Sequence, residues 1–141
     1  MQNAANPAFV LIRAVATNVA SCKHDGSPAA LVSLVRSHAK AAFDLGKNVE
    51  THEEALGMVG NLERISFCLA AKALQVLPQQ LKECRHLVGD ALVLKADLLA
   101  GKSDFDAAIA TLGGTFLRDC YGGNPNLHLM LAGKALRYGG E

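Results

Sequence analysis

The sequence predicts an all-α protein, a single domain over residues 1–141 built as an antiparallel bundle of about six helices. Six helix-start signals divide the chain at nearly even spacing. Between these signals the apolar residues repeat with the helical period and not with the alternation of a strand. The sequence contains no Asn-Gly or Asp-Gly pair flanked by the alternating residues of a β-hairpin. We therefore expect roughly 65% or more of the residues to be helical, with no sheet.

Each predicted helix begins at a residue suited to a helix N-terminus. Three starts place a side-chain acceptor before a proline, two have the hydroxyl and carboxylate spacing of a capping box, and one is a proline alone. In chain order they are Asn6-Pro7, Ser27-Pro28, Thr51 with Glu54, Pro78, Ser103 with Asp106, and Asn124-Pro125. The helices that they predict run over about 7–23, 28–47, 52–76, 79–100, 104–121 and 125–138.

The ends of the predicted helices are marked by glycine. Glycine takes the left-handed conformation at low cost, so it commonly follows the last helical residue. Gly26, Gly46, Gly101 and Gly122 occupy such positions. The links are short, which favours antiparallel neighbours in an up-and-down bundle or three stacked hairpins, with a solenoid as a lesser alternative.

Two helices have features that predict their place in the bundle. The helix over 52–76 has only a narrow polar stripe, so we expect it to be the central helix. The helix over 104–121 contains Gly113-Gly114 in its middle, a pair that is unfavourable in a helix and predicts close helix contact or a kink.

Composition narrows the classes of function. Half of the residues are hydrophobic and only 19% are charged, an excess of apolar material that favours a protein partner. The formal charge of +1 gives no electrostatic footprint for nucleic acid or for an acidic membrane surface. No apolar run approaches the roughly 20 residues that span a bilayer. We therefore expect neither nucleic acid nor membrane among the partners.

The cysteines bear on the compartment. Cys22, Cys68, Cys84 and Cys120 lie one per helix without a short pairing pattern, so we interpret them as reduced thiols in a cytoplasmic protein. An alternative is secretion, because the residues that end at Cys22 have the small-residue shape of a lipoprotein cleavage site. Against it, the first twelve residues lack Lys and Arg, and Arg13 interrupts the apolar stretch that a signal peptide needs.

Three polar residues fall on apolar helix faces and are the candidates for a ligand pocket. His38 lies among the core residues predicted for 28–47, which are Leu31, Leu34, Val35, Ala41, Ala42 and Leu45. Glu63 and Lys95 lie likewise on apolar faces of their helices. In an antiparallel hairpin these two charges would be near the same level, and an ion pair is the least costly arrangement for them. A core histidine and a structural ion pair are the competing interpretations.

Metal and cofactor motifs are incomplete. Glu83, His86 and Asp90 align on one stripe as weak metal ligands, but a di-iron bundle needs two Glu-x-x-His motifs and this chain has one. His38 is a possible axial ligand for haem, yet aromatic residues make up only 5% of the chain. We therefore predict no cofactor.

One acidic set resembles a known family of enzymes. Glu50, Glu53, Glu54 and Asp90 are similar in type to the Mg²⁺ ligands of all-α nucleotide pyrophosphohydrolases. The family's helical Glu-x-x-Glu plus Glu-x-x-Asp arrangement is missing, because Glu50 and Glu53 straddle a predicted helix cap. The resemblance implies a Mg²⁺-dependent nucleotide hydrolase, which remains the second alternative for function.

The helix over 125–138 has two apolar faces. Leu127, Leu131, Ala135 and Tyr138 form one face, and Leu129, Ala132 and Leu136 form another roughly opposite. One terminal helix buries a single face against its own bundle, so we expect the second face to be an interface.

The sequence thus favours a non-enzymatic binding, adaptor or regulatory protein that acts through contacts with itself or another protein. The first alternative is a small-molecule, metal or haem binder with a pocket inside the bundle.

Overall fold

The computed structural model describes residues 27–122 and 124–140. Of the described residues 86% are helical and none lies in a strand, which confirms the all-α prediction. Six α-helices are α1 Pro28–Leu45, α2 His52–Ala71, α3 Pro78–Gly101, α4 Phe105–Leu112, α5 Thr115–Tyr121 and α6 Pro125–Tyr138. Single turns of 3-10 helix lie at Val49–Thr51 and Ala73–Gln75. The helix predicted over 7–23 lies outside the described residues.

Two of the predicted proline-linked caps are present. Ser27 Oγ accepts a hydrogen bond from the backbone N–H of Ala30 at 3.2 Å. Asn124 Oδ1 accepts from the backbone N–H groups of Asn126 and Leu127, at 3.0 and 3.4 Å. Each side chain thereby satisfies amides that have no partner inside the helix.

The two predicted capping boxes are wrong in detail. Thr51 Oγ1 does not accept from the start of α2 but donates to the carbonyl of Leu45 at 2.5 Å, which closes the link between α1 and α2. At α4 the cap is Asp104, whose Oδ1 accepts from the N–H of Ala107 at 3.3 Å. Ser103 instead lies in the link between α3 and α4, where it, and not the predicted Gly101, has a left-handed conformation with φ 65°.

The central helix of the bundle is α3. It contacts α1, α2, α4 and α5, whereas α2 packs mainly against α1 and α3. The prediction that 52–76 holds the centre is therefore wrong, and that helix ends early, at Ala71. Small residues explain the position of α3, because Gly89, Ala91 and Ala96 are buried and let neighbouring helices approach closely.

The helix predicted over 104–121 is two helices. The N–H of Gly113 donates to the carbonyl of Ile109 at 3.0 Å and ends α4. Gly114 has ψ 140°, so the chain turns before α5 begins. The glycine pair thus produces a full break rather than a kink, and the break sets α4 and α5 separately against α3.

The core lies where α1, α2 and α3 meet. Its largest fully buried side chains include Leu31, Val35, Val59, Leu62 and Val88. None of the described helices combines the length and apolar character needed to cross a bilayer.

Candidate functional site

One exposed apolar surface lies on α6. The inner face of that helix holds Leu131, which is buried, together with Leu127, Ala135 and Tyr138, which pack against the core. On the opposite side Leu129 is 71% exposed and Leu136 is 58% exposed. The two predicted faces of the C-terminal helix are therefore where the sequence placed them.

Between the two exposed leucines lie small residues. Ala132 and Gly133 are both exposed, and a Cβ built on Gly133 meets no atom within 4 Å. We call Leu129, Ala132, Gly133 and Leu136 the α6 stripe. Residues spaced by three, four and seven positions share one helix face, so these four side chains form a continuous surface.

Polar contacts fix the direction in which the α6 stripe faces. Lys134 Nζ lies 3.0 Å from Asp97 Oδ1 on α3, and the hydroxyl of Tyr138 donates to the same carboxylate. At the start of α6, His128 Nε2 donates to the carbonyl of Gly122 at 3.0 Å. The helix is thus anchored to α3 on its inner side and open on the other.

His38 does not occupy the buried position that its pattern predicted. The buried residues of α1 are Leu31, Val32, Val35, Ala39 and Ala42, a face rotated by about 70° from the predicted one. His38 therefore lies half-buried at its edge, and its Nδ1 donates to the carbonyl of Leu34 at 2.9 Å. A hydrogen bond within its own helix is a structural role for His38, which was the alternative to ligand binding. Leu34, which was predicted to lie in the core, is exposed.

Glu63 and Lys95 approach each other as predicted. Lys95 Nζ lies 3.7 Å from Glu63 Oε1, across the contact of α2 with α3. The side chains are 28% exposed for Glu63 and 34% exposed for Lys95, so water reaches both charges. The pair bridges two helices, and its role in binding a ligand stays a prediction.

The weak metal candidates each have another partner. The guanidinium of Arg36 on α1 donates to Glu83 Oε1. Asp90 Oδ1 accepts from the hydroxyl of Tyr121 at 2.8 Å, and the His86 ring stands edge-on to the Tyr121 ring with centroids 5.8 Å apart. Within the described part of the chain, no three His, Cys, Asp or Glu residues are arranged to hold a metal ion.

The cysteines differ from the expectation of four reduced thiols. Cys84 and Cys120 are free and buried. Burial raises the pKa of Cys84, and it raises the pKa of Cys120 to about 12. Cys68, by contrast, is disulfide-bonded. The compartment of the protein stays a prediction.

A polar cleft at one end of α3 was not among the sequence candidates. It has a volume of about 430 Å³ and is lined by Lys82, Arg85, His86, Asp119, Tyr121 and Asn124. We call it the basic cleft. Lys82, Arg85 and His86 have the i, i+3, i+4 spacing of residues on one helix face. The sequence alone therefore indicates that these three side chains lie together. The opposite wall comes from α5 and the cap of α6, which no local pattern relates to α3.

A second exposed apolar surface lies at the turn between α2 and α3. Leu74 is fully exposed and Leu77 is largely so, although Leu74 falls within the helix predicted over 52–76. The difference follows from the end of α2 at Ala71, since residues after it no longer continue its apolar face. Beside them an open cleft of about 420 Å³ also involves Pro28 and Val32 at the start of α1.

Comparison of the chain with protein-family models, with curated proteins and with solved structures gives no match. The assignment of function therefore depends on the geometry of the described residues.

Proposed function

We propose that this protein acts by binding protein chains and not by catalysing a reaction, and that its partner at the α6 stripe is a second copy of itself. The single observation that carries the proposal is the exposure of Leu129 and Leu136 on a helix whose opposite face is already buried. Contiguous apolar surface that does not contact the protein's own core is characteristic of interaction sites.

The arrangement of the α6 stripe favours a second copy as the occupant. Its sequence reads Leu129-x-x-Ala132-Gly133-x-x-Leu136, in which two small residues at the centre have a leucine at the same distance on each side. A two-fold dimer brings the same surface of both subunits together and so requires a self-complementary patch. With two α6 helices antiparallel, Leu129 of one copy would pack beside Leu136 of the other.

The small residues at the centre supply the space for this contact. Ala132 and Gly133 would lie at the crossing point, where the absence of large side chains lets two helices approach closely. The charges on α6 also permit this contact between two copies. The helix contains no acidic residue, and Lys134 is already paired with Asp97. Arg137 remains at the edge of the stripe, outside the central contact.

The expected dimer is weak. One helix packed against its copy makes an interface at the small end of those known for transient complexes. We therefore expect a dissociation constant in the micromolar range, and exchange between copies that leaves the stripe available to other apolar helices.

Paired substitutions test this proposal. Leu129→Asp with Leu136→Asp places charges on the α6 stripe without touching the core, so the variant should stay folded and become monomeric. Leu74→Asp is the matched control, because it makes the same change at the other exposed apolar surface. Size-exclusion chromatography with light scattering measures the mass, and circular dichroism verifies the fold.

The proposal requires that the paired variant dissociates while the Leu74→Asp control still associates. If Leu74→Asp abolishes association and the paired variant does not, the interface lies at the turn between α2 and α3. If both variants and the original protein have the mass of a monomer at high micromolar concentration, self-association is excluded.

A further inference from the structure

The basic cleft contains two positively charged side chains that the nearby carboxylates do not bind directly. Neither Lys82 nor Arg85 forms an ion pair with any described residue. Glu83, which lies between them in sequence, points about 100° away around the helix and binds Arg36 on α1. Its carboxylate is therefore directed away from the cleft.

Among the side chains that line the basic cleft, the cations outnumber the carboxylates. Asp90 lies one turn beyond His86 and accepts the hydroxyl hydrogen of Tyr121, which holds it at the contact of α3 with α5. Asp119 alone contributes a carboxylate to the lining. Lys82 and Arg85 thus face one lining carboxylate, while Asp90 keeps its charge at the contact with Tyr121.

Hydrogen-bond donors converge on the same space. The guanidinium of Arg85 presents a planar fork of donors and the ammonium of Lys82 presents three. Across the cleft, Asn124 uses its Oδ1 to accept from the amides of Asn126 and Leu127, so its Nδ2 hydrogens remain able to donate. Arginine, lysine and amide donors together are the groups that bind phosphate oxygens.

We propose that the basic cleft binds the phosphate group of a small phosphate monoester whose organic part carries a hydroxyl group. Lys82 and Arg85 balance the two negative charges of the phosphate, and His86 and Asn124 donate to its remaining oxygens. Asp119 repels a second anionic group but accepts a hydrogen bond from a hydroxyl. The volume of about 430 Å³ suits a small molecule and not the phosphate alone.

This binding does not depend on self-association. The cleft is formed by α3, α5 and the cap of α6, and none of the four residues of the α6 stripe lines it. A monomeric variant carrying Leu129→Asp and Leu136→Asp should bind the same ligand. The two proposals therefore fail or succeed separately.

Titration by ¹⁵N heteronuclear NMR tests the proposal with ribose 5-phosphate, inorganic phosphate and ribose as probes. Ribose 5-phosphate should give saturable shifts at the amides of residues 82–86 and 119–122. Inorganic phosphate should bind more weakly at the same amides, and ribose should leave them unchanged. The background salt is kept constant, so that general screening of surface charge does not contribute.

Substitutions then identify the groups that bind. Lys82→Gln with Arg85→Gln should weaken binding of ribose 5-phosphate by about tenfold or more, since both charge-assisted contacts are lost. Arg118→Gln is the matched control, because it removes one positive charge from exposed surface of α5 outside the cleft. Asp119→Asn should strengthen binding of inorganic phosphate and reduce the advantage of the sugar phosphate.

Three results would overturn the inference. One is the lack of saturable shifts with ribose 5-phosphate at millimolar concentration. Another is a loss of binding free energy in Arg118→Gln at least half as large as in the paired cleft variant; since the control removes one charge and the pair removes two, that result would indicate attraction by net charge alone. The third is an unchanged affinity in the paired variant. Since Lys82 and Arg85 are exposed, the variants should keep the helical circular dichroism spectrum of the original protein.

Discussion

Tyr121 packs directly over Gly89, at the place where α5 crosses α3. A Cβ built on Gly89 would lie 2.8 Å from Tyr121 Cε1 and 3.1 Å from the Cβ of Cys120. The Tyr121 hydroxyl then reaches Asp90, the residue after that glycine, at 2.8 Å. This contact holds the wall of the basic cleft and the start of α6 in their positions against α3.

Gly89→Ala should destabilise the protein. The new methyl group overlaps the Tyr121 ring, so the cost of overpacking should exceed the gain in helix propensity and leave a net loss of about 1–2 kcal/mol. Gly57→Ala is the matched control in the interior of α2, where a Cβ meets no atom within 4 Å. It should stabilise by about 0.5–1 kcal/mol. Urea denaturation measures both, and two variants of equal stability would contradict the close packing of α5 on α3.

Both tyrosines should ionise only at high pH in the folded protein. Burial first, and then the hydrogen bond to Asp90, raise the pKa of Tyr121. Burial and the bond to Asp97 raise the pKa of Tyr138 to about 12. Because the folded state favours the protonated phenol, this contribution to stability is complete below a pH of about 10, the pKa of an unfolded tyrosine. It is lost as the pH rises through the folded values.

Ultraviolet titration of the phenolate band tests this expectation, since the chain contains two tyrosines. Ionisation of both near the ordinary value in the native protein would show that neither phenol is held as described. Urea denaturation at several alkaline pH values measures how the free energy of unfolding depends on pH. Tyr121→Phe should reduce the fall in stability with pH and cost about 1 kcal/mol at neutral pH.

The ion pair between Glu63 and Lys95 should contribute modestly. Each side chain is about one-third exposed, so the several kcal/mol expected for a fully buried pair do not apply. A double-mutant cycle with Glu63→Gln and Lys95→Met should give a coupling energy of about 0.5–1 kcal/mol. Strict additivity of the two variants in chemical denaturation would mean that the charges do not interact in solution.

Asp97 should be needed to hold α6 against the bundle. Asp97→Asn removes the charge that binds Lys134 and Tyr138, and we expect a loss of about 1–3 kcal/mol. Asp44→Asn is the control, because Asp44 pairs with Lys40 on exposed surface, where solvent screens the pair and its contribution to stability should be small. In hydrogen exchange, the amides of α6 should lose protection in Asp97→Asn alone. Unchanged protection there would show that apolar packing suffices to hold the helix.

The sequence predicted the elements well because their signals are local. A cap such as Ser27 or Asn124 acts within four residues, and the two faces of α6 follow from helical period alone. The position of α3 at the centre was missed, since it depends on where small residues let other helices approach. The rotation of the buried face of α1, which moved His38 to its edge, depends likewise on the neighbours that α1 contacts.

The candidate sites likewise divide into those that local sequence predicts and those that depend on tertiary packing. The α6 stripe was found because one helix contains all of its residues. The pairing of Glu63 with Lys95 was found because an antiparallel hairpin fixes the level of both residues. The basic cleft was missed because Asp119 and Asn124 come to face Lys82 and Arg85 across the cleft only through the break at Gly113-Gly114, which sets α5 against α3. Such a break determines where α5 and α6 lie, and the angle between the helices on its two sides depends on tertiary packing.

Sedimentation equilibrium of the unmodified protein tests self-association through α6 most directly. Over a series from low to high micromolar concentration, we expect the weight-average mass to rise from that of a monomer towards twice that value. A single monomer–dimer equilibrium should fit all of the data. A mass that stays at the monomer value through the highest concentration would contradict the account.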